Sequence, residues 1–313
     1  MQHVDCRYTK PFDGIAVPSS IPRRDFIEVR RDNPHDSNLT NLNVVHDLDR
    51  LYVMHSDWLA HLTRYSYATW LVTNRLKGQA RVLDVGSARL EFLQFCYRNR
   101  GKIADYVGLD LRATEGWMGH EWLRSPSVPP CTLVRMDVVD DELPVAINMH
   151  GGDDPNGSAR YVPDGHFTRA ENQKWDVVLC FETLEHVPRE KAQTLVDRLF
   201  NWTKPGGICL LSSPNAGASG STAENHVGAD GQSREHSYKD KTEYAKKAGF
   251  EIAGAWGTFC RLDNLPEDLK TTDTFQSARE YLKGGWLNIA FAANHPAQSN
   301  NAMFALRKPY LLK

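Results

Sequence analysis

The chain has no run of apolar residues approaching the roughly 20 needed to span a bilayer. Met1 to Lys10 contains no apolar signal core, so the start of the chain does not read as a secretory leader. An excess of charge of one sign is also missing. The 37 basic and 39 acidic side chains leave a formal net charge of −2, too little for the global field that draws a protein onto duplex nucleic acid. The six cysteines, Cys6, Cys96, Cys131, Cys180, Cys209 and Cys260, are widely spaced with no C-x-x-C pair. Several fall in apolar, strand-like runs, where a reduced thiol behaves as a small core residue. The expectation is a reducing, cytoplasmic setting. No repeat of fixed period is visible, and 313 residues suffice for one large α/β domain with appendages.

What is present falls into three parts. Residues 1–38, rich in Pro, Asp and Arg, read as an extended arm made locally basic by Arg23, Arg24, Arg30 and Arg31. Residues 39–78 form a helical cap, in which Leu48, Leu51, Tyr52, Trp58, Leu59, Leu62, Tyr65 and Trp70 recur at three- and four-residue steps. Residues 79–313 alternate strand and helix. The predicted strands are Arg81–Val85, Tyr106–Asp110, Thr132–Met136, Asp176–Cys180, Gly207–Ser212, Glu251–Thr258 and Ala302–Arg307. Such alternation implies a mostly parallel sheet with right-handed crossovers and ligands at the carboxyl ends of the strands. Two insertions interrupt it: a turn-rich loop over 141–174 and a Gly/Ala/Ser/Asn-rich stretch over 213–235, the second placed as a lid.

The first strand ends in Asp84-Val85-Gly86 and turns tightly into an amphipathic helix, whose N-terminus offers backbone N–H groups to an anion. The second ends in Asp110, where an acid can accept both hydroxyls of a ribose. The third is followed by Asp137. A dinucleotide oxidoreductase would need G-x-G-x-x-G so that backbone can approach a pyrophosphate. Here the second and third glycine positions hold Ala88 and Glu91, which counts against that class.

This order of strands and acids resembles the class I methyltransferases dependent on S-adenosylmethionine, over about residues 60–310. The Lys204-Pro205-Gly206-Gly207 turn before the fifth strand is similar to that superfamily's as well. The resemblance implies a seven-stranded, mostly parallel, Rossmann-like α/β sheet and S-adenosylmethionine as the cofactor. It implies Asp84, Gly86, Ser87 and Ala88 beside the methionine moiety, Asp110 with Leu111 at the ribose and Asp137 with Val138 at the adenine. Phe181 joins them at the tip of the fourth strand. Arg64, in His61-Leu62-Thr63-Arg64-Tyr65, would pair with the cofactor carboxylate through its two parallel donors.

After the fourth strand comes Phe181-Glu182-Thr183-Leu184-Glu185-His186-Val187-Pro188. A helical turn here would put Glu182, Glu185 and His186 at i, i+3 and i+4 on one face. Such a group can bind a divalent cation given another ligand, with His236 or His226 downstream. The motif is similar to that of ubiquinone-pathway O-methyltransferases and of Hen-type RNA 2′-O-methyltransferases. The latter resemblance implies Glu182, Glu185, His186 and His236 as ligands to Mg2+ or Mn2+. Without metal, His186 or His236 is the candidate general base, with Glu185 beside it. Oxygen is then the expected acceptor, on a small molecule or an RNA terminus. The segment lacks the [DNS]-P-P-[YFW] loop of amino-methylating DNA enzymes and the Pro-Cys pair of cytosine C5 enzymes. Two alternatives stay open: a catalytically idle binding subunit with the same fold, and a nucleic-acid modifier of a mobile genome. Oligomeric state is not readable.

Overall fold

A computed structural model describes residues 56–88, 90–99, 101–111, 128–129, 131–140, 145–149, 160–162, 175–217, 226–228, 231, 233–281 and 285–310. The arm at 1–38 and the first part of the cap lie outside these residues. Among the described residues, seven α-helices accompany nine strands. The helices are α1 (Ser56–Trp70), α2 (Glu91–Arg98), α3 (Ala192–Trp202), α4 (Tyr238–Ala248), α5 (Glu267–Lys270), α6 (Asp273–Tyr281) and α7 (Gly285–Ala292). The strands are β1 (Arg81–Val85), β2 (Asp105–Asp110), β3 (Cys131–Arg135), β4 (Val145–Met149), β5 (Arg160–Val162), β6 (Trp175–Phe181), β7 (Thr203–Pro214), β8 (Glu251–Phe259) and β9 (Asn301–Arg307).

All nine form one sheet in the order β5-β4-β3-β2-β1-β6-β7-β9-β8. Strands β3, β2, β1, β6 and β7 run parallel, and β9 runs antiparallel between β7 and β8. These seven are the expected strands, each within a few residues of its predicted bounds. The insertion at 141–174 departs from expectation. In place of a loop it supplies β4 and β5, which add antiparallel to β3 and extend the sheet edge. Val145-Ala146-Ile147-Asn148-Met149 has the β-branched, alternating character that suits a strand. Turn residues on either side of it concealed the signal.

The sheet is buried on both faces, so its strands read as apolar runs and their side chains still divide by parity. Val82, Tyr106, Val177, Leu179, Leu210, Met303 and Ala305 face one layer, where α1 and α2 supply Tyr65, Ala68, Phe92, Leu93 and Phe95. Leu83, Val107, Leu109, Val178, Leu211, Phe304 and Leu306 face the other, against Leu195, Val196 and Leu199 of α3 and Ala245 of α4. Truncating a fully buried leucine such as Leu83 in such a layer costs about 2–5 kcal/mol. Connections run from β1 to β2 on one side and from β6 to β7 on the other. The order reverses at β1/β6, and that is where an open α/β sheet forms its crevice. Cys96, Cys131, Cys180, Cys209 and Cys260 are free and buried, and no described helix is long and apolar enough to cross a membrane.

Candidate functional site

Strand register lines up the carboxyl tips. Val85 pairs with Leu109 and with Cys180, Asp110 with Arg135, and Phe181 with Ser212. Asp137, Asp110, Gly86, Glu182 and Ser213 therefore follow one another along a single edge of the sheet.

At its centre the backbone turns under strain. Gly86 sits at φ 75°, and two residues with side chains, Ala88 and Leu90, are also left-handed at φ 43° and 64°. Such conformations cost free energy and cluster where a loop is shaped for a ligand. The N–H groups of Gly86 and Ser87 both donate to Leu109 O, at 2.8 and 2.9 Å. The Ala88 N–H donates to Asp110 Oδ2 at 2.9 Å. The β1 turn is thus locked to the tip of β2, with Leu111 exposed just beyond. Asp137 accepts the Val139 and Asp140 N–H groups through Oδ1, at 2.9 and 3.1 Å, which shapes the turn carrying buried Val138. Asp84 lies below the turn. It is buried and accepts the Tyr106 hydroxyl at 2.6 Å. Burial raises its pKa to about 7 against the effect of that hydrogen bond, with Glu91 and Asp110 adding to the rise.

Helix α1 brings Arg64 to the same edge. The side chain is 1% exposed. Its Nη2 donates to His61 Nδ1 at 2.7 Å, one turn back on the helix, and its Nη1 lies 3.2 Å from Glu182 Oε1. Its neighbour Tyr65 packs against Phe181 with ring centroids 6.1 Å apart. Burial, followed by the Arg64 charge, drives the His61 pKa down to about 3, so this imidazole is a neutral acceptor.

The expected helical face after the fourth strand does not form. Glu182 takes the left-handed conformation at φ 51° and still continues the ladder, its N–H bonded to Ser212 O at 3.0 Å. Only Leu184–His186 coils, as a single 3₁₀ turn pinned by buried Leu184 and Val187. The Glu182 carboxylate is taken up by other partners. It accepts the Ser212 hydroxyl at 2.9 Å and the Asn301 amide at 2.7 Å, and it faces Arg64. Burial alone would raise its pKa, but Arg64, His61 and the two hydrogen bonds outweigh burial and hold it below the usual range.

Glu185 is 1% exposed, and neither of its oxygens has a hydrogen-bond partner among the described residues. Burial and the Glu182 charge hold its pKa well above the carboxylate range. Its neighbours in space are exposed His186 and part-buried His226, and the ligand atoms of all three lie within 4.8 Å of one another. Glu182 and His236, two of the four ligands expected from the sequence, lie outside this group. His226 belongs instead because residues 233–236 fold back over the 3₁₀ turn. Arg234 donates to His186 O at 3.1 Å, and Arg189 donates to Glu235 O at 2.7 Å. Val227 forms a bridge with Ser233, and buried Glu235 meets His226 Nδ1 at 2.8 Å. His236 is buried nearby with Nδ1 3.3 Å from the Tyr244 hydroxyl and no partner for Nε2 among the described residues. Burial, then Arg189, lowers its pKa to about 4, so it is neutral near pH 7.

Two participants had no signal in the sequence. Lys241 is fully buried and donates to Ser213 O, Ser213 Oγ and Pro214 O at 2.9, 3.2 and 2.9 Å, tying α4 to the tip of β7. Asn301 enters from β9, over a hundred residues from its partner Glu182. His61 had one readable clue, its three-residue spacing from Arg64.

The methyltransferase-domain family matches residues 59–233, more than half of the 313-residue chain. Ubiquinone biosynthesis O-methyltransferases of Psychrobacter cryohalolentis and Psychrobacter arcticus are each 39% identical over 56 residues. That match covers 18% of this chain, which thus spans 21% of the length of these relatives. Among solved structures, magnesium protoporphyrin IX methyltransferase from Synechocystis PCC 6803 is 14% identical, with a TM-score of 0.46 over 84% of this chain and 88% of that one. The 1,6-didemethyltoxoflavin N1-methyltransferase of Burkholderia thailandensis is also 14% identical, with a TM-score of 0.45 over 79% and 78% of the two chains.

Proposed function

Starting from a chain that belongs to the methyltransferase-domain family, we propose that it is a methyltransferase dependent on S-adenosylmethionine and that it methylates a hydroxyl oxygen held against Glu185, in the 3₁₀ turn after β6. The acceptor is a small molecule or an RNA terminus. The observation that carries this reading is the buried Glu185 carboxyl, whose oxygens meet no partner among the described residues while imidazoles stand beside it. Such a group is disposed to hold a proton taken from an acceptor.

The residues present fit the cofactor. Arg64 is buried, its Nη1 already faces Glu182, and its Nε keeps a donor without a hydrogen-bond acceptor among the described residues, which suits a carboxylate ligand. We assign Arg64 to the cofactor carboxylate, and the Gly86-Ser87-Ala88 turn, with Asp84 beneath it, to the methionine moiety. Asp110 and Leu111 take the ribose, Asp137 and Val138 the adenine, and Phe181 packs beside them. When bound, the cofactor supplies an electrophilic sulfonium methyl. The chain orients the acceptor oxygen toward it, excludes water and accepts the proton. Glu185 is the candidate proton acceptor, and neutral His236 is a second through Nε2.

A metal-assisted variant is favoured by one observation, the grouping of Glu185, His186 and His226. Glu235 on His226 Nδ1 is the kind of outer carboxylate that fixes the ring of a metal-binding histidine. Two imidazoles and one carboxylate suit Mn2+ better than Mg2+, which prefers oxygen. A cation here would lower the pKa of the acceptor hydroxyl.

The test is calorimetry with S-adenosylhomocysteine, followed by transfer of labelled methyl to hydroxylated small molecules and to RNA ends. Binding by the wild type that weakens strongly in Asp110→Ala, with label on oxygen, is expected. No heat with the cofactor product overturns the cofactor assignments, and label found solely on nitrogen or carbon overturns the choice of acceptor.

A further inference from the structure

The buried side of Arg64 carries more machinery than an ion pair needs. Its guanidinium is gripped from two directions by groups on different elements. His61, on the same helix, accepts from Nη2 at 2.7 Å, and Glu182, at the end of β6, stands 3.2 Å from Nη1. Glu182 is itself immobilised. Each oxygen takes a hydrogen bond from a different strand, Oε1 from Ser212 of β7 and Oε2 from Asn301 of β9. It also adopts a left-handed backbone at φ 51°, unusual for a residue with a side chain. A carboxylate placed at such cost, beside a cation whose Nε meets no hydrogen-bond acceptor among the described residues, is oriented for something further.

We infer that Glu182 and His61 are positioning residues that aim Arg64 at the α-carboxylate of the cofactor and so determine selectivity for a cofactor bearing that carboxylate. This rests on the proposed binding of S-adenosylmethionine at the β1 turn.

The chemistry has three parts. A free arginine side chain has several rotors, and fixing it before the ligand arrives removes that ordering cost from binding. His61 suits the task because it is neutral: its pKa is pushed down to about 3 by burial and by Arg64, so near pH 7 it accepts from Nη2 without repelling the cation. Glu182 holds the other arm from the sheet, so the cap helix and the sheet edge agree on one guanidinium orientation. Two parallel donors on a fixed plane recognise a carboxylate far better than they recognise an uncharged group in its place.

The experiment compares S-adenosylmethionine with its decarboxylated analogue, by calorimetry, on the full chain. Wild type is expected to prefer the carboxylated compound by about tenfold or more, the range of a charge-assisted bond. Glu182→Gln and His61→Phe each reduce that preference to about threefold or less, mainly by weakening binding of the carboxylated compound. His61→Phe retains an aromatic ring against Tyr65, where the present centroids are 5.8 Å apart, and removes only the acceptor. A general loss of folding lowers both affinities together and leaves their ratio alone, so the ratio isolates the positioning role. If the wild type binds the two compounds equally, or if both variants keep its preference, the inference is wrong while the proposed function stands. If the wild type binds neither, the cofactor assignment fails and takes this inference with it.

Discussion

The side chain of Thr183 fills the space beside Gly86 that any Cβ there would occupy. Its hydroxyl donates to Val85 O, just before the glycine, at 3.1 Å. The end of β6 is thereby packed directly onto the turn after β1, at the crevice where the strand order reverses. Gly86 is required twice, once by its φ of 75° and once by the hydroxyl above it.

Gly86→Ala should therefore lose about 2–4 kcal/mol of stability and most cofactor affinity. Thr183→Gly relieves the collision but not the backbone strain. A double-mutant cycle in urea should show a favourable coupling of about 1 kcal/mol or more. Strict additivity would show that the contact is not what forbids the side chain.

Asp84 provides a pH signature. Burial lifts its pKa from 3.8 to about 7, so the folded chain retains a proton that the unfolded chain has released. The stability it contributes is complete below about pH 4 and is lost as the pH rises from about 4 through about 7. Asp84→Asn removes this dependence. Between pH 5 and pH 8 the variant should lose less stability than the wild type, and equal losses in the two would show that Asp84 does not titrate as described.

Lys241→Met deletes a cation whose three hydrogen bonds secure Ser213 and Pro214 at the tip of β7. The buried Ser213 carbonyl and the part-buried Pro214 carbonyl lose that donor, with an expected cost of about 1–3 kcal/mol by urea unfolding. Methyl transfer should fall as well, because Ser212 and Ser213 lie beside the site. Unchanged activity would restrict Lys241 to a structural role.

The two candidate ligand sets separate cleanly. His226→Ala should weaken Mn2+ binding by about tenfold or more in calorimetry, and Glu182→Gln should leave it within about twofold. The reverse outcome would restore the set expected from the sequence. Removing Mn2+ with a chelator should slow transfer if the cation acts on the acceptor. No change in rate would leave Glu185 and His236 as the proton acceptors by themselves.

The seven core strands were legible because a sheet buried on both faces demands apolar runs, and the turns between them are marked by glycine and acid. The Asp84–Gly86 turn, Asp110 and Asp137 were legible for the same reason: each follows directly from a strand end. The hairpin β4–β5 was hidden, since edge strands are short and lie among turn residues. The shared helical face of Glu182, Glu185 and His186 does not form, because helical spacing presumes a helix. Thr183, which must reach the Gly86 turn, interrupts it after a single left-handed residue.

Local sequence thus settled which segments become strands and which acids stand at their tips, because side-chain alternation and turn chemistry act over a few residues. The partners of those acids were settled elsewhere. Asn301 on Glu182, Lys241 on the β7 tip and His226 beside Glu185 are meetings made by strand order and by the fold-back of residues 233–236. A residue's charge and reach are written in the chain, but the direction in which it is spent depends on which neighbour the packed sheet delivers.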